Sequence, residues 1–171
     1  MKYFTFEEFE KSDTAKKLGL DNTLPKEYRK NVEALVDNVL DPLREQYGKP
    51  ITISSGYRSK ELNTKIGGSR TSEHCQAAAA DIIVTNGNPL TELFILVLWL
   101  DLPFNQLIYE KGQWMHISYA RNSVNKHQIL IYDGKSYQNV NEEYLWNIIC
   151  KYPLPVVKKK DQLDYGGCNM K

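Results

Sequence analysis

The sequence predicts an α+β fold: a small, mostly antiparallel sheet with helices packed on one face and the other face left for a site. Three observations lead there. Val32, Leu35, Val36, Val39, Leu40 and Leu43 recur at helical spacing. Short segments rich in β-branched and aromatic residues, such as Ile51–Ser54, Ala80–Val84 and Gln128–Tyr132, are bounded by Gly, Asn, Asp or Pro. At 171 residues of ordinary composition, the chain is long enough for one domain with a real core.

The elements follow in order. Thr5 with Glu8 three residues on reads as a capping box, opening a helix that Gly19 and Asp21-Asn22 keep short. Pro25 opens a stronger helix reaching about Tyr47; Gly48 and Pro50 end it, and Pro42 in its interior predicts a kink or break. Ile51–Ser54 is a strand, Ser59–Ile66 a short helix stopped by Gly67-Gly68, and Ala80–Val84 a strand closed by Asn86–Pro89. Pro89–Leu100 is apolar nearly all round, which predicts a buried helix. Asn105–Glu110 and Trp114–Tyr119 form a hairpin, Gln128–Tyr132 a strand with a turn at Asp133-Gly134, and Glu142–Lys151 a final helix. The domain is expected to span residues 1–157, with an irregular tail over 158–171.

Bulk properties narrow the function. With 22 basic and 21 acidic residues the net charge is +1, which offers no electrostatic case for nucleic acid. Lys158–Lys160 is followed by Asp161 and Asp164 and reads as solvated tail. The amino-terminal residues lack the apolar core of a signal peptide, and Leu93–Leu100 is too short to span a bilayer. Cytoplasmic synthesis without membrane insertion is therefore expected, with release by other means if the protein acts outside a membrane. Cys75, Cys150 and Cys168 are odd in number and widely spaced, which argues against a disulfide framework. A monomer is expected.

Two of the three histidines stand in informative settings. His74 precedes Asp81 by seven residues, and His116 lies in Trp114-Met115-His116-Ile117-Ser118. Two imidazoles and one carboxylate bind zinc and leave a fourth position open for water. The hairpin register bears on what faces this set. If Lys111-Gly112-Gln113 forms the loop, Glu110 pairs with Trp114, and Gln106, Ile108, Glu110, Trp114, His116 and Ser118 share one face. Leu107, Tyr109, Met115, Ile117 and Tyr119 then share the other. This register separates polar from apolar better than a two-residue loop does, and it is the one expected.

The strings Ser54-Ser55-Gly56-Tyr57-Arg58-Ser59, Ser72-Glu73-His74, Ala79-Ala80-Asp81 and Trp114-Met115-His116, in this order, resemble the zinc peptidases of bacterial cell-wall peptides. These are the D-Ala-D-Ala carboxypeptidases and the L-alanyl-D-glutamate endopeptidases of phage endolysins. The likeness covers roughly residues 50–120 and is expected to reach Tyr132. It implies the D-Ala-D-Ala carboxypeptidase/hedgehog-like fold, one zinc ion held by His74, Asp81 and His116, and a peptidoglycan stem peptide as substrate. Arg58 would grip a carboxylate or carbonyl of that peptide, and Ser72 would donate a hydrogen bond within the site.

The chain departs from the family pattern in three places. Gln113 stands where an acid usually provides the general base, and glutamine cannot take a proton. Glu110, six residues before His116, is the expected substitute, against the plainer reading of a surface charge at a loop end. Ala77 replaces a usual glycine, a strained choice if that position needs positive φ. Cys75 adjoins a ligand and is expected to be a small packed residue rather than a ligand. Trp114 is either a wall of the peptide cleft or a core residue, and Arg58 could instead be structural. His127 reads as a surface residue. A rival reading is a zinc-containing peptidoglycan-binding or phage-assembly module without catalytic activity.

Overall fold

The computed structural model describes residues 1–84 and 90–140. The turn at 86–89, the helix at 142–151 and the tail at 158–171 expected from the sequence lie outside the described residues.

Helix α1, Phe6–Glu10, starts with the capping box in place: Thr5 Oγ1 accepts from the Glu8 N–H, and the Glu8 carboxylate accepts from the Thr5 N–H. What read as one opening helix is two. Lys11 is extended, Ser12 caps a new start, and α2 runs Asp13–Leu18 to Gly19, whose φ of 64° ends it. The long helix runs from a 3-10 turn, Lys26–Tyr28, through α3, Arg29–Leu35, to α4, Asp41–Tyr47. The two are joined by a π-helical turn, Val36–Leu40. The interruption expected at Pro42 takes this form. Proline has no N–H to offer the preceding turn, and the chain widens there, with the Asp41 N–H reaching Val36 five residues back. Gly48 closes α4 at φ 69°.

Strand β1 is Ile51–Ser55 and β2 is Ala79–Val84, with α5, Lys60–Lys65, and a 3-10 turn, Glu73–Gln76, between them. After α6, Leu90–Trp99, come β3, Gln106–Glu110, β4, Trp114–Ser118, β5, Gln128–Tyr132, and β6, Tyr137–Asn139. The strand order is β1-β2-β4-β3-β5-β6. Four of the five pairings are antiparallel, as expected, but β3 and β5 run parallel, so the sheet is mixed. The loop over residues 119–127 carries the chain back to the start of β3, where the Gln128 N–H bonds to the Asn105 carbonyl.

The hairpin takes the three-residue-loop register: Glu110 pairs with Trp114 and Ile108 with His116. Lys111 and Gly112 both have positive φ, 54° and 72°, and the Gln113 N–H closes the turn on the Glu110 carbonyl at 2.9 Å. Alternation then sorts the faces. Ile53, Ile82, Met115, Tyr109 and Ile131 form one row of the core face, and Ala80, Ile117, Leu107 and Ile129 another. Ile82, Met115, Ile117 and Leu107 are fully buried, each worth roughly 1.5–3 kcal/mol of transfer free energy. Helices α1 and α6 contact this sheet, at β1 and β4, and α4 packs on α6. The opposite face carries the row Ser55, Asp81, His116, Ile108, Leu130 and, one step along the strands, the row Trp114, Glu110, Tyr132, Tyr137. Among the described residues no helix is long and apolar enough to cross a membrane.

Candidate metal centre and active site

Asp81 and His116 face each other across β2 and β4, so sheet register alone brings them together. His74 arrives separately, on the 3-10 turn, and that turn is fastened at several points. The Arg58 and Ala77 N–H groups bond to the His74 carbonyl, each at 3.1 Å; Asn105 Nδ2 bonds to Glu73 Oε1 at 2.7 Å; Asn31 Nδ2 bonds to the Gln76 carbonyl at 2.8 Å. The turn ends at Ala77 with φ 53° and ψ 31°, the left-handed conformation that glycine accepts more readily. The alanine is therefore the strained choice the sequence suggested.

The three side chains converge on one point and are buried, His74 at 2 %, Asp81 at 7 % and His116 at 8 % exposure. His74 Nε2 lies 3.2 Å from Asp81 Oδ1 and 3.1 Å from His116 Nδ1, and His116 Nδ1 lies 3.0 Å from Asp81 Oδ1. Zinc bonds of about 2.0–2.1 Å at tetrahedral angles place ligand atoms roughly 3.3 Å apart, close to this triangle.

Protonation supports the same conclusion. The Gly56 carbonyl, 2.6 Å from His74 Nδ1, can only accept, so Nδ1 carries the hydrogen and Nε2 presents a lone pair to the cluster. A carboxylate oxygen and two ring nitrogens at these separations repel unless a cation, proton or metal, lies among them. Burial alone would raise the Asp81 carboxyl, but the two imidazoles outweigh it and hold Asp81 well below the usual carboxylate range. Burial lowers His74, towards the neutral form a metal needs, while Asp81 opposes that shift. The donor set and its spacing fit zinc.

Arg58 lies beside this cluster, with Nη2 on Asp81 Oδ2 at 2.5 Å and Nε on Ser55 Oγ at 2.9 Å. It thus braces the second oxygen of Asp81, while its Nη1 makes no hydrogen bond among the described residues. Ser72 precedes the 3-10 turn, is half-buried, and its hydroxyl likewise has no partner among the described residues. Trp114 is half-buried on the site face and stands outside the apolar core.

Glu110 is buried at 6 % exposure on the site face, diagonal to His116 across the β3–β4 pair. Burial raises its carboxyl above the ordinary value, Asp81 adds to this, and the Tyr137 hydroxyl, 3.2 Å away, opposes it. Gln113, by contrast, is exposed in the hairpin loop. Cys75 is half-buried and outside the metal-ligand group, and burial raises its thiol. His127 is exposed, its ring 4.8 Å from that of Phe104.

Sequence reasoning missed Ser55, the Gly56 carbonyl, Asn105 and Tyr137. The first two lie inside the Ser-Gly-Tyr-Arg string, but a backbone acceptor has no signature of its own. Asn105 and Tyr137 carry no local signal at all.

With this geometry established, comparison with known families finds that the model described as Peptidase M15 matches residues 2–118, which contain all three candidate ligands, Arg58 and Glu110. No curated protein matches the chain.

Proposed function

The chain belongs to the peptidase M15 family, and on that premise we propose that it hydrolyses an amide bond in a peptidoglycan stem peptide, using one zinc ion held by His74, Asp81 and His116. The observation that carries this reading is the convergence of three buried ligand atoms at near-tetrahedral spacing beside a buried carboxylate. A zinc ion there would supply Lewis acidity, lowering the pKa of water towards about 7 and polarising a carbonyl.

The remaining work falls to side chains. Glu110 takes a proton from the attacking water and returns it to the leaving amine, so one carboxylate serves as base and then acid. Arg58 holds Asp81 with one edge and offers Nη1 to a substrate carboxylate or carbonyl. Ser72 adds a hydroxyl donor, and Trp114 forms a wall of the peptide cleft. Wall lysis, including an endolysin role, and wall remodelling both use this chemistry.

A second reading is favoured by Gln113, which stands where the family usually places its base: the site binds zinc and wall peptide without cutting. Digestion of purified sacculi by the zinc-loaded chain separates the two, with mass spectrometry of the new chain ends naming the bond. The peptidase reading predicts release that stops with a chelator and in Glu110→Gln. A zinc-loaded wild type that binds sacculi of every type yet releases nothing supports the binding module instead.

A further inference from the structure

Register places Trp114, Glu110, Tyr132 and Tyr137 in one row across β4, β3, β5 and β6. Strands β5 and β6 lie beyond residues 2–118, the part matched to the family. Strand β6 nevertheless supplies the one hydrogen bond that the Glu110 carboxylate receives among the described residues, from the Tyr137 hydroxyl to Oε1 at 3.2 Å. Tyr137 is itself held: its ring lies 4.7 Å from that of Tyr132 at 30°. The turn before it is tied by Asp133 Oδ1, which accepts from the Lys135 and Ser136 N–H groups at 2.7 and 2.9 Å.

We propose that Tyr137 is a positioning residue, which fixes the Glu110 carboxylate by Oε1 and leaves Oε2 directed to proton transfer, so that β6 completes the active site. The inference rests on the reading of Glu110 as proton acceptor. A glutamate has three rotatable side-chain bonds, and a reactive group must be held within about half an ångström of its working geometry. Sheet packing fixes the Glu110 backbone, but only a donor to the carboxylate fixes its far end. The plainer alternative is that Tyr137, 56 % exposed on an edge strand, merely covers Tyr132. That role needs the ring and not the hydroxyl, so Tyr137→Phe separates the two.

The test uses the zinc-loaded full chain with a wall-derived muropeptide. In Tyr137→Phe, kcat is expected to fall about tenfold, as for loss of a hydrogen bond to a charged group, with KM within about twofold. The melting midpoint stays put, and in a Glu110→Gln background the same change has no further effect. A readout independent of turnover is the carboxyl carbon-13 titration of Glu110. The groups acting on Glu110 are Tyr137 from β6, Asp81 from β2 and His116 from β4. Removing the hydroxyl should raise the midpoint by about one pH unit, because the bond favours the ionised form. A shifted midpoint in a protein that cleaves nothing sinks the peptidase reading and upholds the placement of Tyr137. An unmoved midpoint with unchanged kcat overturns the positioning role while the peptidase reading stands. An unmoved midpoint in a protein that cleaves nothing overturns both.

Discussion

Replacing Ala77 by glycine is expected to leave stability almost unchanged, whereas the same replacement at Ala80 should cost about 1.5 kcal/mol. Both side chains are fully buried, so both substitutions forfeit a packed methyl worth about 0.8 kcal/mol. Both also add conformational freedom to the unfolded chain, a penalty of roughly 0.4–1 kcal/mol. The difference lies in the backbone. Ala80 sits in the interior of β2, paired with Ile117, and carries no strain. Ala77 sits at φ 53° and ψ 31°, where an L-residue pays roughly 1–2 kcal/mol that glycine does not. Relief of that strain offsets the other two losses at position 77 and is absent at position 80. Urea denaturation reads the gap, and thermal melting should show Ala80→Gly lower by about 3–6 °C with Ala77→Gly within about 2 °C of wild type. Equal losses at the two positions would refute the assignment of stored strain to the turn that carries His74.

Three further predictions concern the centre itself. Arg58→Met removes the brace on Asp81 Oδ2 and should weaken zinc binding about 10–100-fold in a chelator competition; unchanged affinity would show that Asp81 needs no such support. Gly56→Ala places a β-carbon 2.6 Å from Phe9 Cα and 2.8 Å from its carbonyl oxygen, so backbone must move where Gly56 holds His74. A loss of at least about 1–3 kcal/mol is expected in denaturation, and a neutral result would mean that this contact yields without cost. In the metal-free chain Glu110, raised by burial, should titrate above the ordinary 4.5, and zinc loading should lower its carbon-13 midpoint. The signs differ for the two acids. The depressed Asp81 carboxyl contributes stability that is fully present above its ordinary 3.8 and is lost below it, as pH falls through the depressed folded-state value, while the Glu110 contribution is present below 4.5 and is lost as pH rises through its raised value.

Much of the site was readable because its residue types are scarce and its register is dictated by polarity. Pairing Glu110 with Trp114 segregates polar from apolar residues, and that single choice put Glu110 and His116 on one face. The Thr5 capping box, Gly48 at the end of α4 and the disturbance at Pro42 were legible because each has a local chemical cause. What depends on distant partners was not. Gln128–Tyr132 reads as a strand from its apolar run, but nothing in it says that it will lie parallel to β3. All three residues of strand β6 are exposed, so it has no buried alternation to announce it. The four-residue 3-10 turn bearing His74 is too short for periodicity, and α2 hid because one extended residue, Lys11, divides what composition suggests is a single helix. The Tyr137–Glu110 bond joins residues 27 apart, a pairing only the folded sheet reveals.

The most direct measurement is zinc X-ray absorption on the purified chain, combined with metal content. One zinc per chain is expected, coordinated by two imidazoles and oxygen donors at about 2.0–2.2 Å, with the ion lost on His74→Ala. A sulfur shell at about 2.3 Å, which would bring in Cys75, or a chain that stays metal-free in the presence of zinc, would contradict the account.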